Sequence, residues 1–351
     1  MATKLYLHIG HPKCGSSTLQ QALYENRQAL LKAGIGVVDG KLELMKASTK
    51  MSFPIGFFRK LLADLPEVDP TSETPAAAME ALEDQFRALK RKADGLGLKA
   101  VVLSAENLAR PAGVAMLAAA KPHFDCEIIY YIRRHDDWLI SSWLQWQFKT
   151  GISLDDFIDQ ALSSKRRFLF RRVVEAAVTH FGEDKLRIRV LFPSNLEGGD
   201  LVTDFWSALG VPAKEMAAVK SRNVSFSVDL VSVLKESPYL YDDAHDNNLT
   251  GFIDEHHAYP RKPKRRDPLG HYVRRDIINH YLPEINWLKN NFLDSSTLAG
   301  WLQIRVPKDE GQKPKTITLE GVAEMLNLNM VMLKELRDEV EKIKRAVGIR
   351  E

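Results

Sequence analysis

The sequence predicts an α/β protein: an open, mostly parallel sheet flanked by helices. Two observations carry this reading. Short β-forming runs end in glycine or polar turns, and each is followed by a stretch whose apolar residues recur at helical spacing. That strand-then-helix rhythm is the one that joins parallel neighbours, because their connection has to cross back over the sheet. The 351 residues, 45% hydrophobic and 27% charged, suffice for one large domain or two and exclude wholesale disorder.

Lys4 to Gly10 reads as a short buried strand through Leu5, Tyr6, Leu7 and Ile9. His11 to Ser16 is a polar turn. A helix follows, with Leu19, Leu23, Leu30 and Ala33 on one face and Gly34 placed to close it. Gly36 to Asp39 is a weak second strand, and the irregular stretch 41–70 reads as an insertion. Met79, Leu82, Phe86, Leu89 and Ala93 define the next helix, with Thr74 as its cap and Pro75 in its first turn.

Leu98 to Ser104 is a buried strand, and Pro111 opens a short helix through Ala120. Glu127 to Arg133 is another strand and passes into a helix from about Asp136 to Phe148. Ser153 and Asp156 have capping-box spacing, with aspartate in place of glutamate. Leu186, Ile188 and Val190 alternate as a strand, and Leu201 to Leu209 is a helix closed by Gly210 and Pro212. Tyr239 to Asp276 is polar and broken, a second insertion.

The last element is long and separate. Val322, Leu326, Asn329, Leu333, Leu336, Val340, Ile343 and Val347 follow the 4-3-4-3 spacing of a heptad seam with one polar position. The expected organisation is an α/β domain over 1–314, with insertions near 41–70 and 239–276, and an amphipathic helix over 315–351. That helix either packs on its own domain or pairs two copies as a homodimer.

Two cysteines, Cys14 and Cys126, form neither a disulfide framework nor a CxxC pair, so a reducing cytoplasm is the expected compartment. No run of 18 apolar residues exists, which predicts no membrane span. Met1 to Leu5 leads into a strand pattern without an apolar signal segment. Forty-nine basic against 46 acidic residues leave +3, too balanced to predict nucleic-acid binding. The basic run Arg261 to Arg266 lacks interleaved aromatics and reads as a solvated loop, with an anionic acceptor as the alternative.

Gly10-His11-Pro12-Lys13-Cys14-Gly15-Ser16-Ser17-Thr18 has the parts of an anion cradle. Gly15 permits a tight turn, the first amides of the next helix point at a ligand, Lys13 brings a charge, and Ser16, Ser17 and Thr18 bring hydroxyls. It is not a Walker A loop, since the lysine precedes Gly15 by two residues and Cys14 stands where a magnesium-binding hydroxyl would. The plainer alternative is an ordinary βα turn with a surface lysine. Cys14 has no partner for nucleophilic chemistry in the sequence, and its small size suits a crowded loop.

A second constellation runs from Ile132-Arg133-Arg134-His135-Asp136-Asp137-Trp138 to Ser141. Arg133 ends a strand, and Ser141 follows eight residues later, two turns along a helix. Together they suit a second phosphate, with a salt bridge across the sheet edge as the alternative for Arg133. Two such cradles imply a ligand with two separated phosphate-like groups.

In these segments the chain resembles the sulfotransferases that use 3′-phosphoadenosine 5′-phosphosulfate (PAPS), particularly their bacterial carbohydrate-type branch. Leu7 to Gln20 is similar to that family's 5′-phosphosulfate loop, and Tyr131 to Ser141 to its 3′-phosphate element. Leu103 to Leu108 and Ser221-Arg222-Asn223-Val224-Ser225 match more weakly, the latter where the family has a distal nucleotide-binding loop. Cys14 departs from the family's usual threonine after the lysine.

The resemblance implies a P-loop-type α/β fold and transfer of a sulfonyl group from PAPS to a hydroxyl of a carbohydrate or glycolipid-like acceptor. It implies release of adenosine 3′,5′-bisphosphate and no required metal. Nucleotide contacts fall to Lys13, Cys14, Gly15, Ser16, Ser17, Thr18, Arg133, Ser141, Arg222 and Asn223. Lys13 would face the bridging oxygen of the donor. Glu106 is the first choice for the base because it follows the strand at 98–104 on the same sheet end as Lys13 and Arg133. His11 is second and Glu43 third; the plainer reading of Glu106 is a cap carboxylate orienting Asn107 and Arg110. Trp143 and Trp146 are candidates for stacking on a sugar or the adenine. Competing classes are a P-loop kinase-like phosphotransferase and a non-catalytic nucleotide-binding oligomeric scaffold.

Overall fold

The computed structural model describes residues 3–62, 76–164, 170–219, 226, 228–256, 268–294, 301 and 318–347. Five strands, β1 (Lys4–Ile9), β2 (Ile35–Val37), β3 (Ala100–Ala105), β4 (Asp125–Ile132) and β5 (Leu186–Val190), form one sheet in the order β2-β3-β1-β4-β5. All four pairings are parallel. β1, β3 and β4 are buried almost throughout, as a parallel sheet covered on both faces requires. The expected α/β class is the observed one.

The topology fixes where a ligand fits. β1 is central, with Leu7 facing Leu103 on one side and Ile128 on the other. The connection leaving β1 runs out to β2, whereas the one leaving β3 runs back past β1 to β4. The carboxyl ends of β1 and β3 therefore flank a switch point, the place where open α/β sheets form a crevice.

The helix expected after the first turn is divided into α1 (Ser16–Glu25) and α2 (Arg27–Lys32). Asn26 causes the break. Its side-chain amide donates to the oxygens of Ala22 and Ala217 at 3.1 and 3.2 Å and accepts from the Ala217 N–H at 2.7 Å. The first insertion contains a helix, α3 (Ile55–Leu62), which the sequence reading left irregular. Asn107 and Arg110 donate to the main-chain oxygens of Ile55 and Leu62, pinning α3 to the chain after β3.

Next come α4 (Ala76–Gly95), whose expected cap Thr74 and Pro75 lie outside the described residues, and α5 (Pro111–Leu117). α6 (His135–Trp143) is shorter than expected, and a turn of 3-10 helix takes over at Gln147–Thr150. α7 (Leu154–Ser163) is capped by Ser153, whose hydroxyl accepts from the Asp156 N–H at 3.1 Å. α8 (Phe170–Phe181) follows, then α9 (Leu201–Ala208), capped by Asp200.

The reading of 239–276 as broken chain needs correction. α10 (Val228–Leu234) precedes it, α11 (Asn248–His256) lies within it, and α12 (His271–Asn291) begins inside it. Buried Ile277, Ile278, Tyr281, Ile285 and Leu288 give α12 a helical face, while Pro283 inside it reads in sequence as a stop. Arg261 to Arg266 lie outside the described residues.

The chain falls into two compact units. One comprises Met1–Trp138, Arg166–Asn223 and His280–Gln303, and holds the whole sheet. The other comprises Leu139–Lys165, Val224–Asn279 and Ile304–Glu351. Within it, the C-terminal helix α13 (Leu319–Ala346) packs on α10. Thr318 caps the Gly321 N–H at 3.0 Å and donates to Asp229 Oδ1 at 2.9 Å. Also in this unit, buried Lys149 donates to the Asp246 oxygen at 2.6 Å and to Asn247 Oδ1 at 2.9 Å. Among the described residues no helix is long and apolar enough to cross a membrane.

Candidate functional site

Three neighbouring strands deliver three candidate residues to one end of the sheet. Gly10 follows β1, Glu106 follows β3, and Arg133 follows β4. The pairing of Ile9 with Ala105 puts Gly10 and Glu106 level, and the Gly10 N–H donates to the Ala105 oxygen at 3.0 Å. A Cβ on Gly10 would stand 2.9 Å from Glu106 Cα and 2.3 Å from Ser16 Oγ. Glycine is therefore required there by close approach. The sequence reading places Gly10 at the strand end and the head of the cradle but assigns it no steric role.

The loop's carbonyl oxygens are tied outward. His11 accepts from the Cys14 N–H at 3.1 Å, Pro12 from Trp138 Nε1 at 2.7 Å, and Lys13 from Arg133 Nη1 at 2.9 Å. With Lys13 at φ 65° and Gly15 at φ 86°, the turn passes twice through left-handed backbone. Such alternation gathers N–H groups into an anion-binding concavity. Among the described residues no side chain caps α1, so its first-turn amides suit a ligand. Ser17 is exposed and Thr18 half-exposed, whereas Ser16 is buried beside the His11 oxygen.

Burial sets the protonation chemistry. It raises the Glu106 carboxyl above its ordinary 4.5, and the Lys13 ammonium partly opposes this. The Cys14 thiol is pushed up to about 12 by burial, despite the nearby positive charges of Arg133 and Lys13 and a hydrogen bond from the Arg133 main chain. Its burial at 1% exposure and its raised thiol suit a packed side chain better than a nucleophile. His11 is packed among Tyr130, Trp138 and Phe170, its Nδ1–H donates to the Pro12 oxygen at 3.1 Å, and burial lowers it to about 4. Glu43 is exposed and paired with Lys92 at 2.8 Å, which holds its carboxyl below the usual range.

Two adjacent arginines have different roles. Arg133 reaches the loop, while Arg134 is buried and grips Asp136 with two bonds, at 2.6 and 3.0 Å, and donates to the Trp301 oxygen at 3.1 Å. His135 is stacked on Tyr281 at 3.9 Å and shares a 2.8 Å bond with Glu284. The other oxygen of Glu284 accepts from the Arg171 N–H at 2.8 Å. These anchors fix the start of α6 behind Arg133, and nothing in the local sequence announces their distant partners.

Ser141 and Trp143, on α6, and Trp146, beyond its end, belong to the second unit. Arg222 and Asn223 fall outside the described residues. Of the predicted site residues, His11, Lys13, Cys14, Ser16, Glu106 and Arg133 are brought together by hydrogen bonds, main-chain approach or mutual electrostatics.

No protein-family model matches the chain, and no curated protein matches it. Among solved structures it is similar to a sulfotransferase from Alicyclobacillus acidocaldarius, at 18% identity and a TM-score of 0.36, over 73% of this chain and 93% of that one.

Proposed function

We propose that this chain transfers the sulfonyl group of PAPS to a hydroxyl of a carbohydrate or glycolipid-like acceptor. The observation that supports this best is the bond from Arg133 to the Lys13 oxygen across 120 positions. It sets a guanidinium, whose fork holds further donors, beside an amide-lined turn, as a ligand with two phosphate-like groups requires. The uncapped α1 terminus and the side-chain-free approach at Gly10 fit an anionic group in the turn.

The donor supplies an activated sulfur bonded to the bridging oxygen of its phosphosulfate. In this reading, the α1 amides with Ser17 and Thr18 bind the 5′-phosphate. Arg133 holds the remainder of the nucleotide, with Arg222 and Asn223 as the family resemblance implies. Lys13 places its ammonium where negative charge grows as the bridging S–O bond breaks, which is where a cation lowers the barrier. Glu106 takes the proton of the acceptor hydroxyl as the new S–O bond forms. A carboxyl raised by burial is a stronger base than a solvated one, and the Lys13 ammonium holds part of that rise back. The acceptor approaches in line with the departing oxygen, by analogy with phosphoryl transfer.

The test is incubation of the full chain with radiolabelled PAPS and a mixed glycan pool, alongside calorimetry with adenosine nucleotides. Label in glycans and tighter binding of adenosine 3′,5′-bisphosphate than of adenosine 5′-phosphate are expected. Magnesium-dependent ATP turnover without a 3′-phosphate preference would favour a phosphotransferase instead, and binding without any transfer would favour a scaffold.

A further inference from the structure

α13 is 28 residues long, about 42 Å at 1.5 Å per residue. It meets its own unit along a narrow stripe. Gly321 lies against the Asp229 main chain, where a Cβ would stand 2.6 Å from the oxygen, and Leu328 is only 2% exposed. The heptad seam is a different stripe, roughly a quarter turn round the helix at 3.6 residues per turn. Leu326, Leu333, Leu336 and Ile343 are each 58–65% exposed. Packing on its own unit thus leaves the seam uncovered.

We propose that this seam pairs with the same seam of a second copy, as a parallel, in-register coiled coil. Leu326, Leu333, Val340 and Val347 occupy a positions, and Val322, Asn329, Leu336 and Ile343 occupy d positions, nearly four heptads in all. The flanking charges choose the partner and its direction. Glu339 is a g residue and Lys344 the e residue five places on, so in a parallel pair each Glu339 meets Lys344 of the second copy. An antiparallel pair of the same overlap would set Glu339 against Met332 and Lys344 against Ala323, and so forfeit this ion pair.

In the single chain these two side chains pair along the helix, Glu339 with Lys342 at 3.6 Å and Lys344 with Glu341 at 2.9 Å. Exposed pairs of this kind contribute little, so exchanging them across an interface costs little. Asn329 is the one polar seam position and meets itself only when the copies are in register. A membrane surface is the poorer occupant. From Leu319 to Ala346 the helix carries six acidic and five basic residues, and an anionic surface attracts helices of the opposite bias.

Sedimentation of the full chain across a micromolar concentration series tests this, with a dimer expected. Leu333→Glu with Leu336→Glu should raise the dimer dissociation constant by about 30-fold or more while the variant monomer keeps the parent's circular dichroism, because both side chains are exposed in the single chain. Glu339→Lys should weaken the dimer and Lys344→Glu added to it should restore it. Leu326→Cys and Ile343→Cys should each cross-link to itself on oxidation, and the buried Cys14 and Cys126 do not compete. Monomers throughout, or a dimer indifferent to the paired Leu→Glu changes, would overturn the proposal. So would cross-linking only between the Leu326→Cys and Ile343→Cys chains when mixed, or flotation with phosphatidylserine vesicles that the Leu→Glu changes abolish.

Discussion

The α-carbon of Glu106 stands 2.9 Å from the point where a side chain on Gly10 would begin. The candidate base and the phosphate turn are therefore held by direct main-chain approach between β1 and β3. Gly10→Ala cannot be absorbed by Ser16 rotating away, because the Glu106 backbone stays. Overpacking of this kind costs about 1–3 kcal/mol; with the turn displaced to relieve it, nucleotide affinity by calorimetry should fall by up to about 150-fold. Unchanged affinity would mean that the turn tolerates a Cβ.

Arg133→Ala removes both the guanidinium and the bond that steadies the Lys13 carbonyl. Nucleotide affinity should drop, and the preference for a 3′-phosphate should collapse. Lys13→Ala should instead reduce turnover beyond its effect on binding. Full nucleotide affinity in Arg133→Ala would remove Arg133 from its proposed role, and a Lys13→Ala variant whose turnover at saturating nucleotide matches the parent would remove Lys13 from its own.

Glu106→Gln should cut turnover by ~10²–10⁴ while leaving nucleotide binding near that of the parent. A base works only when ionised, and burial lifts this carboxyl above its ordinary 4.5. The rate should therefore fall as pH drops through that raised value. Lys13 pulls the carboxyl down, so removing its charge with Lys13→Met should move the acid limb of the residual rate to higher pH. A limb unmoved by Lys13→Met would separate the two groups.

Burial pushes both cysteine thiols up to about 12. A thiol reagent near neutral pH should find neither Cys14 nor Cys126 in the native chain and both after denaturation. Rapid native labelling of Cys14 would reinstate it as a reactive group.

Most of the sheet was legible because β1, β3, β4 and β5 are compact β-forming runs punctuated by turn signals. The parts that were not depend on distant partners. The break at Asn26 rests on hydrogen bonds to Ala217, 191 positions away. α12 hides behind Pro283, which a folded helix accommodates and a sequence rule rejects. For the site, Lys13, Glu106 and Arg133 could be ranked by their places at strand ends, since a parallel sheet brings those ends together. The direct bond between Arg133 and the loop, where two separate cradles were expected, follows from the adjacency of β1 and β4. The strand end singles out Arg133, whereas the bonds that occupy Arg134, to Asp136 and to the distant Trp301, have no signal in the sequence.

The φ of 65° at Lys13 bears on the energy of the whole chain. A residue with a side chain is disfavoured in that conformation by about 1–2 kcal/mol, and glycine avoids this at an entropic cost of roughly 0.5–1 kcal/mol. Lys13→Gly should therefore raise resistance to urea slightly, by up to about 1 kcal/mol, while silencing turnover. The place where the chemistry wants an ammonium is one where the polypeptide would rest more easily without it, so robustness and catalysis pull against each other at a single residue.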